Sequence, residues 1–444
     1  MATAERSMRQ KSGAGVEALA VSLFRPLQAL LGAPELLFMA ALTAMLLRPP
    51  DLRFYGADRI ALGLLVFVVL LRALLLRQSI GSGPLTWPLL GLLLLAFASL
   101  VHQPYESASW SVFAAKWVTP FVLYHAAGVV FGDEVSQRRF EIFSLVVLAY
   151  LTVTAVLFLS GPKWLIFPPF ILDENLGIHA DRARGPFLQA VANGVSLNLL
   201  GLLALDRFRR GKLGGMTALL LAAGLPLAVL ATRTRAVWLS FAVSLLWLLF
   251  SPSRRVRHAC LGLTLAAAVA WLGVVTFGDG GLGDARRSFT GRLEERGPVE
   301  FRLSVYRAGW EMLRERPWLG WGAQQMQPEL ERRVSDFHED TFYFHNTYLE
   351  IGAEHGLAGL ALYGWLALGL LALGRTPKTA AVSPDGEFLD RGFRALWPVM
   401  VGVYLLNACF VVMNYQFVNG LLFTLAGMLE AQNRWGRRFD AVLL

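Results

Sequence analysis

The chain has 444 residues, of which 55% are hydrophobic and 16% charged, and its formal net charge is +9 at pH 7. A soluble domain of this length needs more polar surface than this composition supplies, so the sequence predicts a membrane protein. The basic residues are divided among short polar turns rather than gathered into one patch, which argues against nucleic acid as a partner.

Apolar runs of about 20 residues, the length that crosses a hydrocarbon core of about 30 Å, recur along the chain. Because a backbone in lipid must satisfy its own hydrogen bonds, we expect an all-α polytopic membrane protein with about 12 transmembrane helices. The predicted spans are 30–48, 60–76, 85–101, 115–132, 140–160, 187–205, 215–231, 236–250, 259–277, 350–373, 395–413 and 419–433.

Arg and Lys residues are concentrated in alternate turns between these runs. Under the positive-inside rule such turns are cytoplasmic, which predicts that both termini are cytoplasmic as well. The basic turns are 138–139, 207–212, 254–257, 375–394 and 434–438. No short apolar segment with a small-residue cleavage site follows the polar N-terminus closely, so no removable signal peptide is expected. Cys260 and Cys409 are expected at different depths, which argues against a disulfide.

One long polar insert, residues 278–345, separates predicted helices 9 and 10. Its acidic and basic residues nearly balance, and the orientation places it on the periplasmic side. An insert of about 70 residues is marginal as an independent domain, so we expect it to pack as helices on the bundle. The whole chain, 1–444, is therefore predicted to form a single membrane domain.

Two arginine pairs occur on the side opposite the basic turns. Arg182 and Arg184 precede Gly185-Pro186, a pattern typical of a helix start. Free N–H groups at a helix N-terminus attract anions, and guanidinium groups bind phosphate oxygens in pairs. The alternative is a solvated loop whose charges serve only topology.

The second pair, Arg233 and Arg235, lies in a tight turn between apolar runs 219–231 and 236–250. An arginine close to the hydrocarbon region costs several kcal/mol unless it reaches the interface or is paired. With no acidic neighbour in sequence, the pair favours an anionic ligand. The alternative is interfacial anchoring or an ion pair with a carboxylate of the insert.

Within the insert, residues 300–313 are predicted to form an amphipathic helix with apolar residues at Leu303, Tyr306, Trp310 and Leu313. Arg302 and Tyr306 are four residues apart and share a face of this helix, whereas Arg307 points elsewhere. We therefore prefer Arg302 over Arg307 as a ligand of an anionic substrate.

His345 and Asn346 open the next predicted span. A histidine at the membrane surface among arginines fits a general base, because nearby cations disfavour its protonation. The alternative is a packed histidine that caps the helix. His338 is a possible secondary site residue, together with Tyr306 and Asn346. A metal site built from His338, Glu339, Asp340 and His345 is conceivable, but the spacing is not diagnostic, and no metal is expected.

Four elements in this order resemble the O-antigen ligase/polymerase superfamily. They are Arg182-x-x-Gly-Pro-Phe187, Thr232-Arg-Thr-Arg-Ala236, Arg302-x-x-x-Tyr306 leading into Pro317-Trp-Leu-Gly-Trp-Gly322, and His345-Asn-Thr-Tyr-Leu349 followed by Glu354-His-Gly-Leu-Ala-Gly359. The chain departs from the family pattern at the two threonines, 232 and 234, where the family has serine, and in the additional charge of Arg233.

The resemblance implies a glycosyltransferase in the bacterial inner membrane with its active site facing the periplasm. It would move a glycan from undecaprenyl diphosphate to an acceptor hydroxyl, with inversion and without metal or cofactor. For an O-antigen ligase of lipopolysaccharide biosynthesis the acceptor is lipid A–core, which we favour; for a polymerase it is another carrier-linked repeat.

The resemblance also assigns roles to the candidate residues. His345 would take the acceptor proton, and Arg235 and Arg302, with Arg184 or Arg182, would hold the diphosphate; Arg233 is a further candidate ligand. A different class, a lipid-glycan transporter, also has about twelve spans. The insert breaks the two-fold symmetry that such transporters usually show, and the charges inside the spans lie mostly near the ends.

Overall fold

The computed structural model describes residues 31–48, 56–75, 80–177, 179–276, 297–334, 344–375 and 383–443. In these ranges the chain is helical and contains no strand. The α-helices are α1 (Pro34–Leu46), α2 (Ala57–Leu75), α3 (Thr86–Val101), α4 (Ser107–Phe113), α5 (Thr119–Val130), α6 (Glu134–Ser160), α7 (Ala190–Arg209), α8 (Gly215–Ala231), α9 (Arg235–Leu248), α10 (Arg254–Thr276), α11 (Gly297–Glu315), α12 (Gln327–Arg333), α13 (Thr347–Leu373), α14 (Arg391–Ala408) and α15 (Gln416–Leu443).

Four short elements interrupt or connect these helices. A π-helical turn, Ala114–Val118, joins α4 to α5. Three 3₁₀ turns, Lys163–Leu165, Pro169–Leu172 and Gly185–Phe187, lie in the long connection between α6 and α7.

Every predicted span overlaps one of these helices, so the all-helical class is confirmed for the described part of the chain. Three helical segments there are long and apolar enough to cross a membrane, namely Glu134–Leu159, Arg254–Gly273 and Thr347–Leu373. Four further apolar helices, α1, α3, α8 and α9, are shorter. The number of spans and their orientation stay predictions.

Glycines allow the closest helix contacts in the core. A Cβ at Gly427 of α15 would lie 2.1 Å from the carbonyl oxygen of Tyr124 in α5, and one at Gly194 of α7 would lie 2.4 Å from Val237 in α9. Small residues of this kind let helix backbones approach each other in membrane proteins. These contacts pack α15 closely against α5 and α7 closely against α9.

One end of the bundle is held by a buried network of ion pairs. Asp206 at the end of α7 accepts from Arg209 and Arg210, both at 2.8 Å. Arg209 also pairs with Asp390, which precedes α14, and Arg210 pairs with Glu141 near the start of α6. The basic turns 207–212 and 375–394, predicted to share one membrane side, therefore meet at this end. We call it the arginine end and the opposite one the loop end.

The described part of the insert consists of α11, a turn-rich stretch, α12 and residues 344–345. The face of α11 that packs on α13 consists of Val305, Ala308 and Met312, all at most 3% exposed. The apolar face predicted from sequence is only partly buried: Leu313 is 7% exposed, whereas Leu303 and Trp310 are 51% and 52% exposed. The helix carries two apolar stripes, and periodicity alone cannot tell which one the bundle covers.

Candidate functional site

The two arginine pairs lie side by side at the loop end. The backbone N–H of Ala183 donates to the carbonyl oxygen of Ala231 at 3.0 Å, which joins the loop before α7 to the end of α8. The side chain of Asn193 in α7 donates to the Ala183 carbonyl oxygen at 2.8 Å. Arg182 and Arg184 thus flank Ala183, and Arg233 lies two residues after Ala231.

Arg184 is fully buried and serves the loop that precedes it. Its guanidinium donates to the carbonyl oxygens of Ile171 (3.1 Å), Asp173 and Leu176. Burial lowers the pKa of Arg184, and the nearby carboxylate of Asp173 opposes that effect. The phosphate-binding role predicted for Arg184 competes with these bonds to the backbone, and it stays a prediction.

Asp181 lies between Arg182 and Arg233, one arginine from each pair. Its carboxylate is 4.0 Å from Nε of Arg182 and 3.9 Å from an amino group of Arg233. The Asp181 side chain is 45% exposed, whereas the side chains of Arg182 and Arg233 are 10% and 14% exposed. The ion-pair alternative for Arg233 is therefore partly right, although the carboxylate belongs to the loop before α7 and not to the insert.

The turn between α8 and α9 determines the positions of Arg233 and Arg235. Arg233 adopts a left-handed backbone conformation, φ 47°, which is uncommon for a residue with a side chain. Arg235 is the first residue of α9 and is exposed. The tight turn thus directs Arg233 toward Asp181 and leaves Arg235 at the helix start, where the backbone N–H groups favour an anion.

A second cluster forms around His345. The hydroxyl of Tyr306 in α11 lies within hydrogen-bonding distance of the carbonyl oxygens of His345 (3.3 Å) and Cys409 (3.4 Å). Burial, and then the positive charge of Arg302, lowers the pKa of His345 to about 4. Burial raises the pKa of Tyr306, against the opposing effects of Asn346 and Arg302. Arg302, Tyr306, His345 and Asn346 therefore come together, and their catalytic and binding roles stay predictions.

His345 is held in a strained turn immediately before α13. Its backbone φ is 50°, again in the left-handed region. The N-cap of α13 is Asn346, whose side chain accepts from the backbone N–H of Leu349 at 3.0 Å. The alternative reading of His345 as the helix cap is therefore wrong, since Asn346 makes that bond.

The loop between α14 and α15, residues 409–415, and the start of α15 contact the two groups of candidate residues. The Thr347 hydroxyl donates to the Val411 carbonyl oxygen at 2.8 Å and accepts from the Met413 backbone at 3.0 Å. Phe417, just beyond this loop, packs on Phe187, with ring centroids 5.7 Å apart. Phe187 follows Arg184 by three residues, so the start of α15 contacts the group around Arg182, and the loop 409–415 contacts the group around His345. Sequence reasoning missed these contacts.

α13 is broken at Gly356, where φ is 63° and ψ is −157°. The loop 317–322 fills the break: Trp321 and Gly322 donate to the carbonyl oxygens of Ala353 and Glu354 at 2.8 and 2.9 Å. In return, Leu357 and Ala358 donate to carbonyl oxygens of that loop at 2.7 and 3.2 Å. The glycine-rich motif 317–322 and the Glu354–Gly359 motif therefore form one interlocked structure.

A buried ion cluster lies beside this break. The Lys116 ammonium is 2.6 Å from a carboxylate oxygen of Glu350 and 3.3 Å from one of Glu354. The other Glu354 oxygen accepts from the backbone N–H of Gln324 at 2.9 Å. Two glutamates four residues apart in an apolar helix were a signal for this pairing, but the distant lysine partner was not identifiable from sequence.

The predicted secondary residue His338 lies outside the described residues. The remaining candidates all occur at the loop end, in two groups.

Residues 216–364 match the family model for O-antigen ligase. This match assigns that region to the O-antigen ligase family. The resemblance seen in the sequence is thereby confirmed. A comparison with curated proteins finds no match.

The matched region includes most of the candidate site. It contains Arg233, Arg235, Arg302, Tyr306 and His345. The element around Arg182 lies before the match begins, so its assignment rests on its contacts with the turn after α8. Members of the family are glycosyltransferase-like enzymes that act on lipid-linked glycans and lipid acceptors.

Proposed function

We propose that this protein transfers a glycan from undecaprenyl diphosphate to a hydroxyl of lipid A–core on the periplasmic face of the inner membrane. The observation that carries the proposal is the cluster at His345. An imidazole whose pKa is about 4, because of burial and the adjacent Arg302, is neutral at pH 7 and available to accept a proton. Both arginine pairs lie at the same end of the bundle.

The proposed reaction is a direct displacement with inversion. The acceptor oxygen attacks the anomeric carbon while His345 takes the acceptor proton. The bond from the anomeric carbon to the phosphate oxygen breaks, and its electron pair leaves with the lipid diphosphate. General-base assistance of this kind contributes about 10²–10⁴-fold.

The leaving diphosphate gains negative charge as that bond breaks. Guanidinium groups stabilise such charge in a site that excludes water, and they supply the cationic partners that a metal supplies elsewhere. We assign this role to Arg302 and Arg235, assisted by Arg182 and Arg233. Arg184 then acts indirectly, by shaping the loop 171–176 that leads to Arg182.

The test is reconstitution in proteoliposomes with a carrier-linked glycan and lipid A–core. We expect transfer that persists in EDTA and falls at least about 100-fold in His345→Ala. Undiminished transfer by His345→Ala would remove the general-base assignment.

The acceptor distinguishes the related reactions. Extension of a second carrier-linked repeat, with lipid A–core left unmodified, would identify a polymerase in place of the proposed ligase. Movement of the carrier-linked glycan across the bilayer without transfer would identify a transporter and overturn the proposal.

A further inference from the structure

His345 precedes a short, separate piece of helix. Because α13 is broken at Gly356, residues 347–355 form an individual segment that we call the base segment. It has about two and a half turns, too few to be stable in isolation. Contacts with the rest of the protein must therefore fix its position, and with it the position of the His345 imidazole.

Backbone contacts hold the two ends of the base segment. At its start, Thr347 exchanges hydrogen bonds with Val411 and Met413. At its end, the carbonyl oxygens of Ala353 and Glu354 accept from the loop 317–322. These bonds restrain the ends, but they leave the rotation of the segment about its own axis to side-chain contacts.

Besides the bonds that join Tyr348 to Leu405 and Glu354 to Gln324, Lys116 supplies a side-chain contact along the length of the segment. It bridges Glu350 and Glu354, one turn apart, at 2.6 and 3.3 Å. The side chains of all three residues are at most 4% exposed. Two contacts on one face restrain the rotation of the base segment about its own axis more strongly than a single contact would.

The backbone that carries Lys116 is itself specialised. Lys116 is the central residue of the π-helical turn Ala114–Val118, and π-turns occur frequently at functional sites. The carbonyl oxygen of Ala115 accepts from the Asn419 side chain at 3.0 Å. Asn419 also donates to the Met413 carbonyl oxygen at 3.1 Å, so the π-turn is tied to the same loop that holds Thr347.

Stability alone is a weak explanation for this cluster. Removing one partner of a buried ion pair destabilises a protein, but apolar replacement of the whole pair is often neutral or favourable. We propose that Lys116 is a positioning residue, which holds the base segment so that the His345 imidazole faces the acceptor hydroxyl. The inference rests on the proposed transferase function.

The kinetic test compares Lys116→Met with Lys116→Arg. A displacement of about 1 Å at a reacting group can cost about 100-fold in rate. We therefore expect kcat of Lys116→Met to fall about 10- to 100-fold with KM within about twofold, and Lys116→Arg to recover much of the loss. The matched control is Arg209→Met, which breaks the ion network at the arginine end; its kcat per folded molecule should stay unchanged.

A second measurement does not depend on transferase activity. Diethyl pyrocarbonate modifies neutral imidazole, and peptide mass spectrometry reports the modification of His345 separately from the other histidines. In the wild type, labelling should be nearly constant from pH 8 to pH 5.5. In Lys116→Met the imidazole becomes more solvated, which raises its pKa. Labelling at pH 5.5 should then fall below labelling at pH 8, toward the decrease of about tenfold expected for a histidine with its usual pKa.

The outcomes separate the two claims. Unchanged kcat in folded Lys116→Met, or an unchanged labelling profile, overturns the positioning role. If the wild-type protein transfers no glycan but the labelling profile of Lys116→Met is shifted relative to that of the wild type, the positioning role is kept and the proposed function is rejected. If Lys116→Met does not fold, the balanced variant Lys116→Met/Glu350→Met replaces it, with the same expected loss of kcat and the same labelling test.

Discussion

The pH dependence of transfer tests the chemistry of His345 most directly. Two features lower the pKa of this imidazole to about 4, first its burial and second the charge of Arg302. Both disfavour the imidazolium form, so the neutral base persists into mild acid. We expect kcat/KM to stay constant from pH 8 down to about pH 5 and to decline only below it.

The size of the effect follows from the neutral fraction. At pH 5.5 a group with a pKa of about 4 is about 97% neutral, whereas a histidine with its usual pKa of about 6.5 is about 9% neutral. The two cases therefore differ about tenfold in the concentration of active base at that pH. Replacing Arg302 removes the second cause, so the acidic limb should move to higher pH while burial still keeps it below the usual value.

The assay is kcat/KM between pH 4.5 and pH 8 for the wild type, Arg302→Gln and Arg307→Gln. Arg307 is exposed and on the same helix, so its variant controls for the loss of a cation without loss of contact with His345. If kcat/KM of the wild type begins to decline near pH 6.5, the neutral-base argument is contradicted. If kcat/KM of Arg302→Gln declines at the same pH as that of Arg307→Gln, Arg302 does not influence the imidazole.

Three further substitutions test other parts of the site. Asn346→Ala removes the N-cap of α13 and should lower the free energy of unfolding by about 1 kcal/mol, measured by thermal or denaturant unfolding; an unchanged value contradicts the capping role. Arg235→Lys keeps the charge but loses paired hydrogen bonding, so kcat/KM should fall at least about tenfold, and full activity would reject phosphate binding by Arg235. Gly356→Ala places a Cβ 2.5 Å from the Trp318 carbonyl oxygen at a φ of 63°, and should cost about 3 kcal/mol or more in the same unfolding assay. Normal stability of that variant would mean that the break in α13 is not obligatory.

The helices of this protein are well determined by local sequence. Apolar runs separated by basic turns predict segments that agree with the described helices to within a few residues for most spans, as with 215–231 and α8. The reason is physical, because a chain in lipid must pair its backbone locally and so leaves few alternatives. The same reasoning fails where tertiary contacts replace local hydrogen bonds.

The break at Gly356 is such a failure. Glu354 and His355 interrupt the apolar pattern just before it, but the expected span 350–373 treats the segment as one continuous helix. The break is stable because the loop 317–322 supplies the missing hydrogen bonds from a distant part of the chain. For the same reason, the pairing of Lys116 with Glu350, 234 positions later, was not predictable from spacing.

The structure also bears on which arginine of the upstream pair meets the diphosphate. Arg184 would have to give up bonds to three carbonyl oxygens, and each buried acceptor left unpaired costs about 1–3 kcal/mol. Arg182 lies beside the half-exposed carboxylate of Asp181. We therefore expect Arg184 to maintain the loop that leads to Arg182 and not to bind the diphosphate itself.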